Sequence, residues 1–175
     1  MRYLVLLACF LTFGMQSSAF GRIGHRVVAE IASRNMLPNA LNEAHRLLDG
    51  RSLAMVANWP DEIRDLEEWK HTFWWHFVNI EDKQSYKTTT KNPNGDIYQS
   101  ILRFQKVLET SSGDDEKSEA LKWLIHLIGD LHQPLHVGKS DDQGGNKVQV
   151  NWMGMPSNLH RVWDEHLIST QQLSF

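Results

Sequence analysis

The sequence predicts an all-α, mainly helical fold with one short β-hairpin. Apolar residues recur at helical spacing in most segments, and Gly and Pro fall between those segments. Only residues 147–152, behind Gly144-Gly145, read as a hairpin. With 175 residues, 41% of them hydrophobic and 22% charged, the chain can build one domain with a real core; disorder, collagen and a coiled-coil rod do not fit. A net charge of -3 excludes a protein that holds nucleic acid by broad Lys/Arg neutralisation. Seven tryptophans and nine histidines are the unusual counts.

Residues 1–19 read as a secretory signal: Arg2 is the positive end, residues 4–13 the apolar core, and Ser17-Ser18-Ala19 the cleavage site. The apolar core is short of the roughly 20 residues that a membrane-spanning helix needs. An uncleaved anchor and lipoprotein processing at Cys9 are the competing readings. Cleavage after Ala19 leaves a domain of residues 20–175 that begins at Phe20, exported to the periplasm or the medium. It also removes Cys9, the single cysteine, so any metal must be held by nitrogen and oxygen.

The elements follow in order. Residues 24–36 carry Val27, Val28, Ile31 and Ala32 at helical spacing. Pro38 starts a second helix with Leu41, Ala44, Leu47 and Leu48 inward, ending near Gly50. Residues 52–68 read as one or two helical segments interrupted at Trp59-Pro60. Residues 71–80, aromatic and β-branched, read as a buried extended segment. The polar stretch 81–95 breaks at Asn92-Pro93-Asn94-Gly95 and is a loop. Helices are expected over 97–108, over 117–131 after a polar link, and over 158–169.

The chemistry starts with His126 and Asp130, four apart on a helix and therefore on one face. His160 and Asp164 repeat the spacing. Either pair alone is commonplace, but the run His-Gln-Pro-Leu-His at 132–136 adds His136, turned by Pro134. His132 lies on a different face and reads as a structural histidine bonded to a backbone carbonyl. His25 follows Gly24 at a helix start, Asp61 sits near a helix N-terminus where a capping role is the ordinary one, and His76 follows Trp74-Trp75. Each has an ordinary structural role when taken singly. Together they form an imidazole and carboxylate set suited to hydrolytic zinc, larger than one ion can use.

With those residues in view, the chain resembles the zinc-dependent, single-strand-specific nucleases of the fungal and plant type I family, which share a fold with bacterial zinc phospholipase C. The resemblance runs from Phe20 to about Ile168. It is carried by Phe20 to His25 (FGRIGH), Trp59 to Arg64 (WPDEIR), His76-Phe77, His126 to His136 (HLIGDLHQPLH), Gly144-Gly145-Asn146, Asn158-Leu159-His160 and Trp163-Asp164.

The resemblance implies a helical fold around three zinc ions. One would take Asp61, His76, His126 and Asp130, and a second His136, His160 and Asp164. The third would take His25, a bridging Asp130, and the amino and carbonyl groups of Phe20. The family usually begins with Trp where this chain has Phe20, and it usually continues past the last ligand with further helices. The implied reaction is hydrolysis of single-stranded DNA and RNA to 5′-phosphate products, with 3′-nucleotidase activity, by water made acidic through zinc. Asp61 would orient or deprotonate that water and Arg64 would clamp phosphate, its ordinary alternative being an ion pair with Glu67 or Glu68. Phe77 would stack a base and Asn79 would contact its edge. The substrate partner is then single-stranded nucleic acid or a nucleotide, with no membrane anchor and no obligate protein partner. A zinc phospholipase C and a non-catalytic zinc-binding homologue are the alternatives.

Overall fold

The structure, a computed structural model, describes residues 21–111 and 113–172, so the leader reading and Phe20 lie outside the described residues. Among the described residues the fold is mainly helical, as the sequence predicts, with two small two-stranded sheets.

Helix α1 (Gly21–Asn35) buries Gly21, Gly24, His25 and Ala29. Helix α2 (Pro38–Leu47) takes its proline in the first turn, where a missing N–H costs nothing, and buries Ala44 and Leu47. Two short helices follow, α3 (Leu53–Val56) and α4 (Trp59–Ile63). Trp59-Pro60 opens α4 rather than interrupting a helix, for the same reason that Pro38 opens α2.

The expected extended segment at 71–80 is corrected. Residues Glu67–His76 form a 3₁₀ helix, and only β1 (Val78–Asn79) is extended. Packing decides this: Thr72 and Trp75 are three apart on one buried face, and Trp75 meets Trp123 at 5.1 Å and Phe104 at 5.8 Å between ring centroids. Strand β1 pairs in parallel with β2 (Val137–Gly138), Val78 opposite Val137 and Asn79 opposite Gly138.

Helix α5 (Ile97–Thr110) is capped by Asp96, whose side chain accepts from the Gln99 N–H at 2.9 Å. It packs on α6 (Asp114–His132), whose acidic first turn complements the helix dipole. A 3₁₀ turn, Pro134–His136, leads into β2. The hairpin is β3 (Gln149–Trp152) with β4 (Met155–Asn158), turning at Met153 and Gly154, both with positive φ as a tight hairpin turn requires. Gly144-Gly145 lies outside this turn and presses a loop against Leu135, where a Cβ on Gly144 would stand 2.5 Å from the Leu135 carbonyl oxygen. The last helical stretch runs from α7 (Leu159–Arg161) through a π turn (Val162–His166) into α8 (Leu167–Ser169). π turns gather at functional sites.

Two apolar clusters hold the fold. One joins Ala29, Leu48, Leu53 and Val56 to Ile125; the other joins Trp75, Ile97 and Phe104 to Trp123 and Leu127. Helix α6 serves both, and on its circumference His126 and Asp130 fall between Ile125 and Leu127.

Candidate metal centre

His126 and Asp130 sit one above the other on α6 and are fully buried, with His126 Nε2 3.2 Å from Asp130 Oδ2. Three other elements bring their residues to this pair. Helix α1 delivers His25, Nε2 to Asp130 Oδ1 at 3.3 Å, its ring stacked on His126 with centroids 3.9 Å apart. That approach depends on Gly129: a Cβ there would lie 2.6 Å from His25 Nδ1. Helix α4 places Asp61 Oδ1 3.8 Å from His126 Nε2. The end of the 3₁₀ segment places His76 Nδ1 2.9 Å from Asp130 Oδ2 and 3.1 Å from His126 Nε2.

A second group lies beside the first. The turn after Pro134 carries His136, and the last helical stretch carries His160 and Asp164. His160 Nε2 is 3.1 Å from Asp164 Oδ2, His136 Nε2 is 4.0 Å from Asp164 Oδ1, and the two imidazoles stack at 5.1 Å. The π turn carries Asp164, and α1 crosses close by: a Cβ on Gly21 would stand 2.4 Å from the Asp164 carbonyl oxygen.

All eight side chains singled out as ligands in the sequence therefore converge. They form three groups able to hold a metal ion, the ligand atoms of each lying within 4.8 Å of one another. His136, His160 and Asp164 form one group. His76, His126 and Asp130 form the second, and Asp61 falls in the third with His25 and His126 rather than completing the second. His132 stays outside, exposed, its Nδ1–H bonded to the Ile128 carbonyl at 2.7 Å.

Hydrogen bonds fix the tautomers. His126 Nδ1 meets the Ala57 carbonyl at 2.8 Å, His136 Nδ1 the His76 carbonyl at 2.7 Å, and His160 Nδ1 the Gly144 carbonyl at 2.7 Å. A carbonyl only accepts, so each Nδ1 carries a proton and each Nε2 is the nitrogen turned toward the cluster. His76 Nε2, His136 Nε2 and Asp130 Oδ1 are buried without a hydrogen-bond partner among the described residues. Lone-pair atoms in such a position cost stability unless a cation satisfies them. The donor set of imidazole and carboxylate without thiolate fits zinc.

Burial and the neighbouring carboxylates act in opposite directions on the imidazoles. Burial works against charge on His126, but Asp130 and then Asp61 outweigh it and lift its pKa to about 9. Burial also works against charge on Asp130, and His126, His136 and His25 together hold it well below the usual carboxylate range. His136 is pushed down by burial, while His160, despite burial, is raised by Asp164.

A cavity of about 450 Å³ opens over the cluster, lined by His76, His136 and His160 together with Arg64, Phe77 and Asn79. Arg64 Nη1 donates to Asp61 Oδ1 at 3.2 Å, which ties it to the cluster. Phe77 is half-buried at the wall. Gln133 was given no role in the sequence reading. Fully buried, it donates from Nε2 to Asp164 Oδ1 at 2.7 Å and accepts the Leu135 N–H at its own Oε1. Its place in His-Gln-Pro-Leu-His, three residues before His136, was the available signal.

Fold and site define a mainly helical protein built around a buried, metal-competent cluster of histidines and aspartates. A family model described as S1/P1 Nuclease matches residues 20–175, and the chain belongs to that family. It is 35% identical over 162 residues to endonuclease 3 of Arabidopsis thaliana, covering 86% of this chain and 55% of that protein. It is 32% identical over 157 residues to nuclease P1 of Penicillium citrinum, covering 85% and 58%, and 30% identical over 174 residues to nuclease S1 of Aspergillus oryzae, covering 95% and 60%. The chain thus spans 55% to 60% of the length of these relatives. No helix among the described residues is long and apolar enough to cross a membrane.

Proposed function

We propose that this chain is an exported, zinc-dependent nuclease. It hydrolyses single-stranded DNA and RNA to 5′-phosphate products and removes 3′-phosphates from nucleotides. The reading rests on one observation above all: the imidazoles of His76, His136 and His160 form the floor of a cavity whose wall carries a guanidinium, an aromatic ring and an amide. Family membership and the names of the relatives support it.

In this reading three zinc ions are the cofactor. His136, His160 and Asp164 would hold one; Asp61, His76, His126 and Asp130 would hold another; His25, Asp130 and the amino and carbonyl groups of Phe20 would hold the third. Zinc, when bound, supplies Lewis acidity toward phosphoryl oxygens and lowers the pKa of water toward about 7. Asp61 orients the attacking water and accepts its proton. Arg64, kept in place by Asp61, offers parallel N–H donors to the phosphoryl oxygens, and its charge rises in value as negative charge builds in the transition state. Phe77 stacks a base for about 1–3 kcal/mol, which an unpaired base can accept and a duplex base cannot. Asn79 presents an amide to the edge of that base.

Assays of single-stranded DNA, RNA, duplex DNA and phosphatidylcholine run side by side test the reading. Hydrolysis of the single strands should stop in EDTA and return with zinc. Turnover that survives EDTA would refute the zinc dependence, and turnover of phosphatidylcholine alone would place the chain with the phospholipases.

A further inference from the structure

The 3₁₀ segment that ends in His76 places two aromatic rings outside the core. Trp75 is 7% exposed, yet its neighbours Phe73 and Trp74 are 54% and 37% exposed. They join Phe77 in one cluster: Phe73 to Trp74 is 5.1 Å between centroids, Phe73 to Phe77 5.6 Å, and Trp74 to Phe77 5.8 Å. All three line the cavity over the histidines. Trp74, Phe77, Asn79 and Ser140 also line a second cavity of about 480 Å³, closed on its far side by the loop 81–96. The two cavities thus share a wall that carries Trp74 and Phe77, and each falls in the size range of small-ligand sites, about 300–1,000 Å³.

The chemistry of the second cavity selects its occupant. Its one lysine, Lys91, donates to the carbonyls of Tyr86 and Thr89 and so serves the loop itself. Two carboxylates line it: Glu81, which accepts from Ser140, and Asp96, which accepts from the Tyr86 hydroxyl and the Gln99 N–H. A phosphate is disfavoured beside two carboxylates. A neutral, planar, polar-edged group that stacks on indole fits, and a nucleobase is such a group.

We propose that Trp74 is the stacking platform for a second nucleobase, adjacent to the one on Phe77, and that the cavity behind it receives that base from a single strand. The proposal deepens the nuclease reading and rests on it. Because every base offers a π face, the platform is tolerant of sequence.

The test compares Trp74→Leu, which keeps an apolar side chain against Phe73 and Phe77 but removes the π face, with Trp74→Phe, which keeps it. The substrates are a single-stranded thymidine octanucleotide and methyl p-nitrophenyl phosphate, a diester without a base, each with the zinc-loaded protein. Expected is a KM for the octanucleotide raised about 5- to 150-fold in Trp74→Leu, largely restored in Trp74→Phe, with turnover of the base-free diester within twofold of the parent in both. An octanucleotide KM unchanged in Trp74→Leu, or equally raised in both variants, would overturn the platform while leaving the nuclease reading intact. A parent protein that hydrolyses the base-free diester but not the octanucleotide would overturn both.

Discussion

Gln133 donates to Asp164 across 2.7 Å, with both side chains buried. The bond fixes one oxygen of Asp164 while the other faces His160. Carboxylates that ligate metals are positioned by such contacts, and removing one typically weakens metal affinity by about 10- to 100-fold. Gln133→Ala should therefore lose zinc from the group of His136, His160 and Asp164 first. It should also lose about 1–3 kcal/mol of stability, because the Leu135 N–H loses its acceptor. Competition with a chromophoric chelator and thermal unfolding measure the two effects; unchanged affinity would remove Gln133 from the site.

Gly129→Ala is a sharper probe of the His25 contact. In an ordinary helix interior, alanine is favoured over glycine by about 1 kcal/mol. Here the new Cβ would stand 2.6 Å from His25 Nδ1. The variant should be less stable than the parent, with His25 driven off Asp130 and zinc content reduced. A rise in melting temperature with full metal content would contradict that packing.

Protonation and metal binding compete at His126. In the metal-free protein its pKa is raised from 6.5 to about 9, against the cost of burial, by Asp130 and then Asp61. A pKa raised on folding means that the charged ring stabilises the metal-free fold fully below about pH 6.5, and that this contribution is lost as pH rises through 9. Zinc ligation at Nε2 must displace that proton. Zinc binding at pH 7 should thus release protons, and apparent affinity should rise up to about pH 9. Calorimetry in two buffers of different ionisation enthalpy reads the release, and identical heats would contradict it.

Arg64 and Asp61 separate binding from proton transfer. Asp61→Ala should lose most turnover. Arg64→Ala should lower kcat by about 10²- to 10³-fold while leaving zinc content unchanged, since a guanidinium aimed at developing charge acts mainly in the transition state. Steady-state kinetics on single-stranded DNA measure both, and full activity in either variant would remove that residue from the mechanism.

Helices α5 and α6 were legible because their apolar residues repeat at helical spacing and their ends carry acidic or small residues. The residues of the three groups were legible by type and, on α6 and the last helical stretch, by the four-residue spacing. Their pairings were not. His136 takes its orientation from the His76 carbonyl, 60 residues away, and β1 and β2, two residues each, are too short to leave a periodic signal. The aromatic run at 71–80 misled because Trp75 and His76 are held in a 3₁₀ turn by Trp123, a contact that no local pattern records. Gly129 mattered for the space it leaves to His25, which appears only when α1 and α6 are packed.

The most direct test is elemental analysis of the folded, zinc-exposed protein with its N-terminal residue identified. The three ligand groups lead us to expect about three zinc ions per chain starting at Phe20. Folded protein with no zinc at stoichiometric occupancy would contradict the metal centre and the catalysis built on it.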